Sequence, residues 1–405
     1  MSEWQKVPFG SLFLVPTRNG IYKTAEFHGR GTKIVNMGEL FANDRIGKQS
    51  MERIELSEQE KKVSLLEIGD LLFARRSLVE SGAGKAAIVT ELPEETTFES
   101  SVIRVRLDQE KCNPLFYLYW LRSYNGRSAI MPLVTGVNVK GIRGSELATI
   151  IVDYPSIDIQ NRITSALSVY DDLIENNQRQ IKLLEEAAQR LYKEWFVDLR
   201  YPGHENVPVV DGTPEGWATK TIANIASVNC DSIGKDWPYN TIDYIDISSV
   251  AHGQIESKTT YEIKDAPGRA RRLAHDGDII WSMVRPNLRA YALIQYPDEK
   301  DVFSTGFAVL SARKVPFTFL YCFVTTDDFV GYLVNCTNGA AYPAVKPIHF
   351  EKAEITVPSV NVLQNFEKLT LPLFRKIHLL SCENKCLSET RDRLLPKLMS
   401  GEIAV

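Results

Sequence analysis

The sequence predicts an α+β protein written twice: two related globular domains, each followed by a long amphipathic helix. Three observations lead there. Short motifs recur in the same order with a period of just over two hundred residues. In each half, apolar and β-branched runs bounded by turn residues alternate with a short helical stretch. Each half then closes on a heptad-spaced apolar seam. A chain of 405 residues, 44% hydrophobic and 24% charged, has room for two or three domains at about 150 residues each, so each half can bury its own core.

The repeat is read motif by motif. Trp4 opens a segment with Phe9 and Leu12 behind it; Trp217 opens another with Ile222 and Ile225 behind it. EIGDLLFAR (67–75) answers HDGDIIWSM (275–283). TGVNVKGI (135–142) answers NGAAYPAVKPI (338–348), both ending in a V-K-x-I tetrad that pairs Val139 with Val345. PSIDIQN (155–161) answers PSVNVLQN (358–365). The period is far too long for a solenoid unit. The expected division is a first domain over 1–155, a central helix over 156–201, a second domain over 202–357, and a C-terminal helix and tail over 358–405.

Within the first domain, GDLLFA and KAAIVTEL read as strands, and VIRVRL alternates apolar and charged side chains as a half-buried strand does. NPLFYLYWLRS reads as a short buried helix started by Asn113 and Pro114. The second domain repeats the order with GDIIWS, AYALIQ, GFAVLS and FTFLYCFV. The helices follow. Alternate steps of four and three give a first seam of Ile163, Leu167, Tyr170, Ile174, Asn177, Ile181, Leu184, Ala188, Leu191 and Trp195. The second runs Phe366, Thr370, Leu373, Ile377, Leu380, Asn384, Leu387, Arg391, Leu394 and Leu398. Asn361 with Gln364 resembles a capping box at the second helix's start. Pro202 and Gly203 stop the first. Pro372 should kink or delay the second, because it removes a backbone donor. A helix of about 36 residues is about 54 Å long, a natural spacer.

Composition and motifs narrow the chemistry. A net charge of −4 excludes a uniformly basic nucleic-acid coat but leaves room for a local basic face. The six cysteines form no CxxC pair, and Cys382 and Cys386, one turn apart, lack matching histidines, so they read as free thiols and no metal site is expected. SGAGKAAI (81–88) fails as a phosphate loop, since the first glycine would fall on Val79 and Lys85 is followed by Ala86. NPLF (113–116) lacks the second proline of an adenine-gripping methyltransferase tetrad. No catalytic constellation emerges. The opening MSEWQKVPFG lacks a signal pattern and no apolar run approaches the ~20 residues of a membrane span, so the chain reads as cytoplasmic.

The combination resembles the specificity subunit of Type I restriction–modification systems. The matching pieces are PEGW (214–217), GDLLFARRS, PSIDIQNRI, LLEEAAQRLYKEWF (183–196) and the tail LLPKLMSGEI (394–403). The resemblance implies two target-recognition domains, each reading half of a split DNA site, and two helices paired as an antiparallel coiled coil. It further implies two methyltransferase subunits that carry S-adenosylmethionine, with translocating nuclease subunits joining them, and no catalytic residue in this chain. The alternatives are a specificity subunit serving a fused methylase–nuclease polypeptide, and a coiled-coil scaffold with no DNA role. With the helix ends aligned antiparallel, Ile163 should face Leu398, Trp195 should face Phe366 and Asn177 should lie near Asn384, an amide pair that fixes register.

Arg and Asn make bidentate contacts to guanine and adenine edges. The candidate DNA readers, placed just after a strand or in Gly-rich loops, are therefore Arg75, Arg76, Lys85, Asn138, Lys140 and Arg143 in the first domain. In the second they are Arg285, Asn287, Arg289, Tyr342 and Lys346. Trp195 and Phe196 cannot both point into one regular seam. Tyr192 and Phe196 are accordingly the candidates for a methyltransferase-subunit interface, the alternative being that they pack onto their own domain.

Overall fold

The computed structural model describes residues 4–234, 236–337 and 343–403. The fold is α+β, and contacts divide the chain into two compact units: 1–175 with 385–405, and 176–384. Each unit therefore owns a globular domain together with part of both long helices. Among the described residues no single helix is long and apolar enough to cross a membrane. The bent apolar pair Phe317–Val324 and Asp327–Asn335 lies in the core of the second unit, with Phe319, Leu320, Cys322, Val324, Phe329 and Leu333 buried.

In the first unit the predicted strands form as Leu71–Ala74, Ala86–Val89 and Val102–Val105. They lie in a five-stranded sheet with Arg18–Asn19 and Arg45–Ile46 at its edges. A second sheet sets His28–Val35 antiparallel to Glu52–Ile54 and parallel to Thr96–Phe98. The helix Pro114–Arg122 starts as the sequence dictates. Asn113 caps it, its side-chain oxygen accepting from Leu115 N at 2.9 Å, with Pro114 in the first turn. The strands Gln5–Pro8 and Ile151–Tyr154 pair antiparallel, bringing the two ends of the domain together.

The second unit repeats this frame. Ile279–Ser282 pairs with Tyr291–Leu293 and Phe307–Ala312. Thr241–Ile245 lies antiparallel to Thr259–Glu262 and parallel to Asp301–Ser304. Ala218–Thr221 closes on Glu354–Val357. FTFLYCFV forms the helix Phe317–Val324.

The long helices run Ile157–Tyr192 and Val360–Met399. No seam residue in either is exposed. Within the first unit Ile163 and Leu167 share a core with Leu395, Leu398 and Met399, and Arg391 Nη1 reaches Asp171 Oδ1 at 2.5 Å. Within the second, Asn177 Nδ2 donates to Glu383 Oε2 at 3.2 Å, and the rings of Trp195 and Phe366 lie 5.8 Å apart. In each unit one helix ascends as the other descends, so the pairing is antiparallel, and Ile163 and Trp195 meet the residues expected of them.

Three details differ from the sequence reading. Asn177 bonds Glu383 rather than Asn384, whose Oδ1 is buried without a partner among the described residues. The acidic neighbour reaches the amide first because its longer side chain spans the gap between the helices. Pro372 does not interrupt the second helix, nor does Pro396. Both prolines are exposed, as are Lys368 and Asp392 four residues before them, so each carbonyl robbed of its donor is at the water-facing surface. The second helix also starts at Val360, directly after Ser359, ahead of the expected Asn361 cap.

Candidate nucleic-acid interface

The site grows from a turn repeated in both units. Gly69 and Gly277 take positive φ of 93° and 87°. The aspartate after each closes the turn: Asp70 accepts from Glu67 N at 2.7 Å, and Asp278 accepts from His275 N at 2.8 Å. Each turn launches a fully buried strand, Leu71–Ala74 or Ile279–Ser282. The chain leaves the core where that strand ends, and the candidate readers cluster there.

In the first unit Arg76–Ser77 pairs with Lys140–Gly141, and Ile142 N donates to Arg75 O at 3.0 Å. Thr135 and Gly141 exchange backbone bonds of 2.9 and 2.8 Å, closing a loop whose tip holds Val137, Asn138 and Val139. Gly136 permits this closure. Its φ is +111°, and a Cβ there would lie 2.1 Å from Val139 O. The structure thus gathers Arg75, Arg76, Asn138, Lys140 and Arg143. Arg76, Asn138 and Arg143 are exposed. Arg75 is half-buried, and its Nη1 donates to Ser100 O at 3.2 Å. Lys85 stands apart, since its Nζ donates to Phe41 O at 2.6 Å and lies 3.8 Å from Asp44.

In the second unit Val345 N donates to Met283 O and Arg285 N to Pro343 O, both at 2.8 Å. This corrects the tetrad alignment. Ile142 and Val345 play the same part, bonded to the residue just after the strand and buried at 3% and 5% exposure. The next residue, Arg143 or Lys346, is the N-cap of a short helix, Gly144–Leu147 or Pro347–Lys352. Val345 therefore matches Ile142, without a gap, and Lys346 matches Arg143. The shared letters V-K misled because they are the same residues at different places in one loop.

Arg285, Asn287 and Arg289 ride the loop between Ile279–Ser282 and Tyr291–Leu293. Both arginines adopt left-handed backbone, φ 49° and 54°, around the turn Pro286–Leu288. Arg285, Asn287 and Lys346 are exposed, whereas Arg289 is ion-paired with Asp327. Tyr342 lies outside the described residues. Sequence reasoning missed the aliphatic side chains standing among these polar ones. Val137 is 92% exposed, Leu78 84% and Leu288 62%. The available signal was an aliphatic residue inside a turn, where it has no core to reach.

The partner-interface assignment is overturned. Tyr192 is 5% exposed, and its ring lies 5.2 Å from that of Phe196. Phe196 in turn packs 4.9 Å from both Phe319 and Phe366. The cause is a π turn at Lys193–Val197. The wider turn changes the angle between successive side chains, so Trp195 and Phe196 both face the core. Burial pushes Tyr192's hydroxyl pKa far up, as expected of a core tyrosine. The aliphatic residues left in water on the two helices are Ile157, Val169 and Leu173 in the first unit, and Leu183, Val360, Leu369 and Leu379 in the second. Among the described residues no three His, Cys, Asp or Glu side chains are placed to hold a metal ion.

Residues 1–186 match the family described as the Type I restriction modification DNA specificity domain. The chain is 28% identical over 301 residues to the Type I restriction enzyme MjaIX specificity subunit of Methanocaldococcus jannaschii, covering 71% of this chain and 69% of that one. It is 22% identical to the HindI specificity subunit of Haemophilus influenzae, with both chains covered completely. In fold it is similar to the crystal structure of a Type I restriction–modification S subunit from M. genitalium. The TM-score is 0.56 at 16% identity, over 98% of this chain and 96% of that one.

Proposed function

We infer, from the Type I restriction–modification specificity domain that this chain carries in residues 1–186 and the same frame repeated in its second unit, that the chain is the DNA sequence-specificity subunit of such a system. One observation carries the reading. Both units end the same buried strand at the same kind of loop, in both that loop is bonded to a second one, and in both the pair of loops carries exposed amide and cationic side chains: Arg76, Asn138 and Arg143 in the first unit, Arg285, Asn287 and Lys346 in the second. The scaffold is conserved between the units while the side chains displayed on it differ, as two different half-sites require. Phosphate contacts from Arg76, Arg143, Arg285 and Lys346 position the duplex, and base-edge contacts specify it.

The chain supplies no reacting group in this reading. S-adenosylmethionine belongs to two partner methyltransferase subunits, which methylate an adenine in each half-site, and nuclease subunits complete the restricting complex. Its place is with the cell's DNA in the cytoplasm. The methyltransferase subunits dock on the helix faces bearing Leu173, Leu183 and Leu379, not on Tyr192 and Phe196. Leu183→Asp with Leu379→Asp should abolish capture of the methyltransferase subunit in a pull-down while leaving the chain folded, because both residues are exposed.

The deciding experiment is the methylome of cells with and without this gene. One split motif carrying methylated adenines, lost on deletion, is expected. An unchanged methylome overturns the reading.

A further inference from the structure

The loop after the repeated strand of the second unit puts two unlike groups side by side. Asn287 is exposed, and its amide makes no hydrogen bond to the described residues. Leu288, next to it, holds an aliphatic side chain 62% in water. Nothing about the loop's fold requires either one to be there. The loop is held by other atoms: Pro286 is buried, Leu288 N donates to Arg285 O at 2.9 Å, and Arg289 N donates to Pro286 O at 3.0 Å. Arg289 is tied to Asp327, and Ser282 N donates to Ala290 O at 2.8 Å, closing the base. The two non-glycine positions flanking the turn, Arg285 and Arg289, are kept in left-handed backbone. That conformation is costly and persists only where the surroundings impose it. Such a turn offers a ligand an exposed amide with no bond to the described residues, an unburied leucine and a neighbouring exposed arginine.

The ligand's chemistry follows from what the pair can satisfy together. An asparagine amide matches the N7 acceptor and N6 donor of adenine in the major groove. An aliphatic side chain matches the C5-methyl of thymine, and an A·T pair shows both on one groove edge. In a tight turn of three residues per turn, adjacent side chains diverge by about a third of a circle, which spreads the polar and the apolar tip apart, as the adenine edge and the thymine methyl lie apart across one base pair. The first unit shows the same mixture on its own loops: exposed Val137 beside exposed Asn138, and exposed Leu78 two residues after Arg76. We propose that Asn287 and Leu288 together read one A·T pair of the half-site bound by the second unit, Asn287 gripping the adenine and Leu288 covering the thymine methyl. This rests on the DNA-specificity reading above and names the base pair it reads.

The test uses the full chain assembled with its methyltransferase subunits and duplexes carrying the motif found in the methylome. Each thymine is replaced in turn by deoxyuridine, which removes only the methyl group, and each adenine by 7-deazaadenine, which removes only N7. One thymine of one half-site should weaken binding about fourfold on losing its methyl, the worth of about 0.8 kcal/mol of apolar burial. Leu288→Ala should bind thymine and uracil duplexes alike at that position. The adenine paired to that thymine should show a 7-deaza penalty that Asn287→Ala abolishes, at least tenfold in the native chain. Uracil sensitivity that survives in Leu288→Ala overturns the proposal, as does a uniform loss of affinity at every position, which would mark Leu288 as a wedge between bases. A complex with no preference for the motif at all overturns the specificity reading itself, and is recognised by the native chain failing on unmodified DNA.

Discussion

The two units differ most where they are most alike. Asp70 and Asp278 close the same turn before the same strand, and both are buried. In the first unit Asp70 is held by a guanidinium: Arg106 Nε donates to Oδ1 at 2.7 Å and Nη2 to Oδ2 at 2.8 Å. In the second the facing ladder position is Ser311, a hydroxyl. Burial consequently raises the Asp278 carboxyl above its ordinary pKa, against the opposing pull of the His275 N–H, the Ser311 hydroxyl and the charges of His275 and Arg313. Two strand positions earlier, Arg104 faces Leu72 and Val309 faces Ile280. Val309 is core. Arg104 is 7% exposed, makes no ion pair among the described residues, and leaves its Nε without a partner. Duplication preserved the backbone frame, while the same buried positions were free to become ionic in one unit and apolar in the other.

The helix ends show the same divergence, aromatic in the second unit and aliphatic in the first. Phe196→Ala should cost about 3–5 kcal/mol as a core truncation. Hydrogen exchange should report the loss in the second unit only, and capture of methyltransferase subunits should fall only as far as folding does. Arg106→Ala should destabilise the first unit by a similar ~3–5 kcal/mol, because it strands a buried carboxylate. The matched change Ser311→Ala should cost only about 1 kcal/mol. Equal losses in denaturant unfolding would refute the contrast drawn between the two aspartates.

Arg104→Val, which copies the second unit into the first, should raise stability by about 1–2 kcal/mol by removing an unpaired buried cation. A lower unfolding midpoint would show that Arg104 has a stabilising partner after all. The smallest effect is a pH slope. Glu185 is largely buried in the second unit, and burial raises its pKa to about 7. Its folded pKa therefore exceeds its unfolded one, and the folded state takes up the proton first. Stability should rise as pH falls from 8 through 7 toward the ordinary 4.5, then stop rising from this group. Because Glu185 keeps some contact with water, the gain should be about 1 kcal/mol. Glu185→Gln should flatten the slope in thermal melts taken across that range.

Much of this was legible from residue order. The frame repeats because the same short-range rules act twice: a glycine and aspartate closing a turn, an apolar run too short for a helix, and a proline at the start of the short buried helix, Pro114 after the Asn113 cap in the first unit and Pro316 in the second. The seams were legible from heptad spacing alone; their antiparallel pairing was what the family resemblance implied, and aligning the helix ends then set the register. The Val345 equivalence, by contrast, was misread. Letter identity says nothing about which backbone N–H meets which carbonyl, and Ile142 and Val345 share only that bond and their burial. Tyr192 and Phe196 were misread for a related reason. The π turn that rotates them inward is imposed by the ring packing of Phe319, Phe366 and Trp217, residues remote in sequence.

The sequence by itself therefore determined what local chemistry dictates: the α+β class, the duplication, the helix seams and the strand ends beside which the candidate readers lie. Only the tertiary structure decided which side chains remain for a partner. It drew Lys85 and Arg289 into contacts with Phe41, Asp44 and Asp327. It buried Tyr192 and left Leu288, Val137 and Leu78 in water. The physical reason is that exposure belongs to the whole fold: a leucine is apolar in any sequence, and whether it ends up in the core or in water depends on what packs around it.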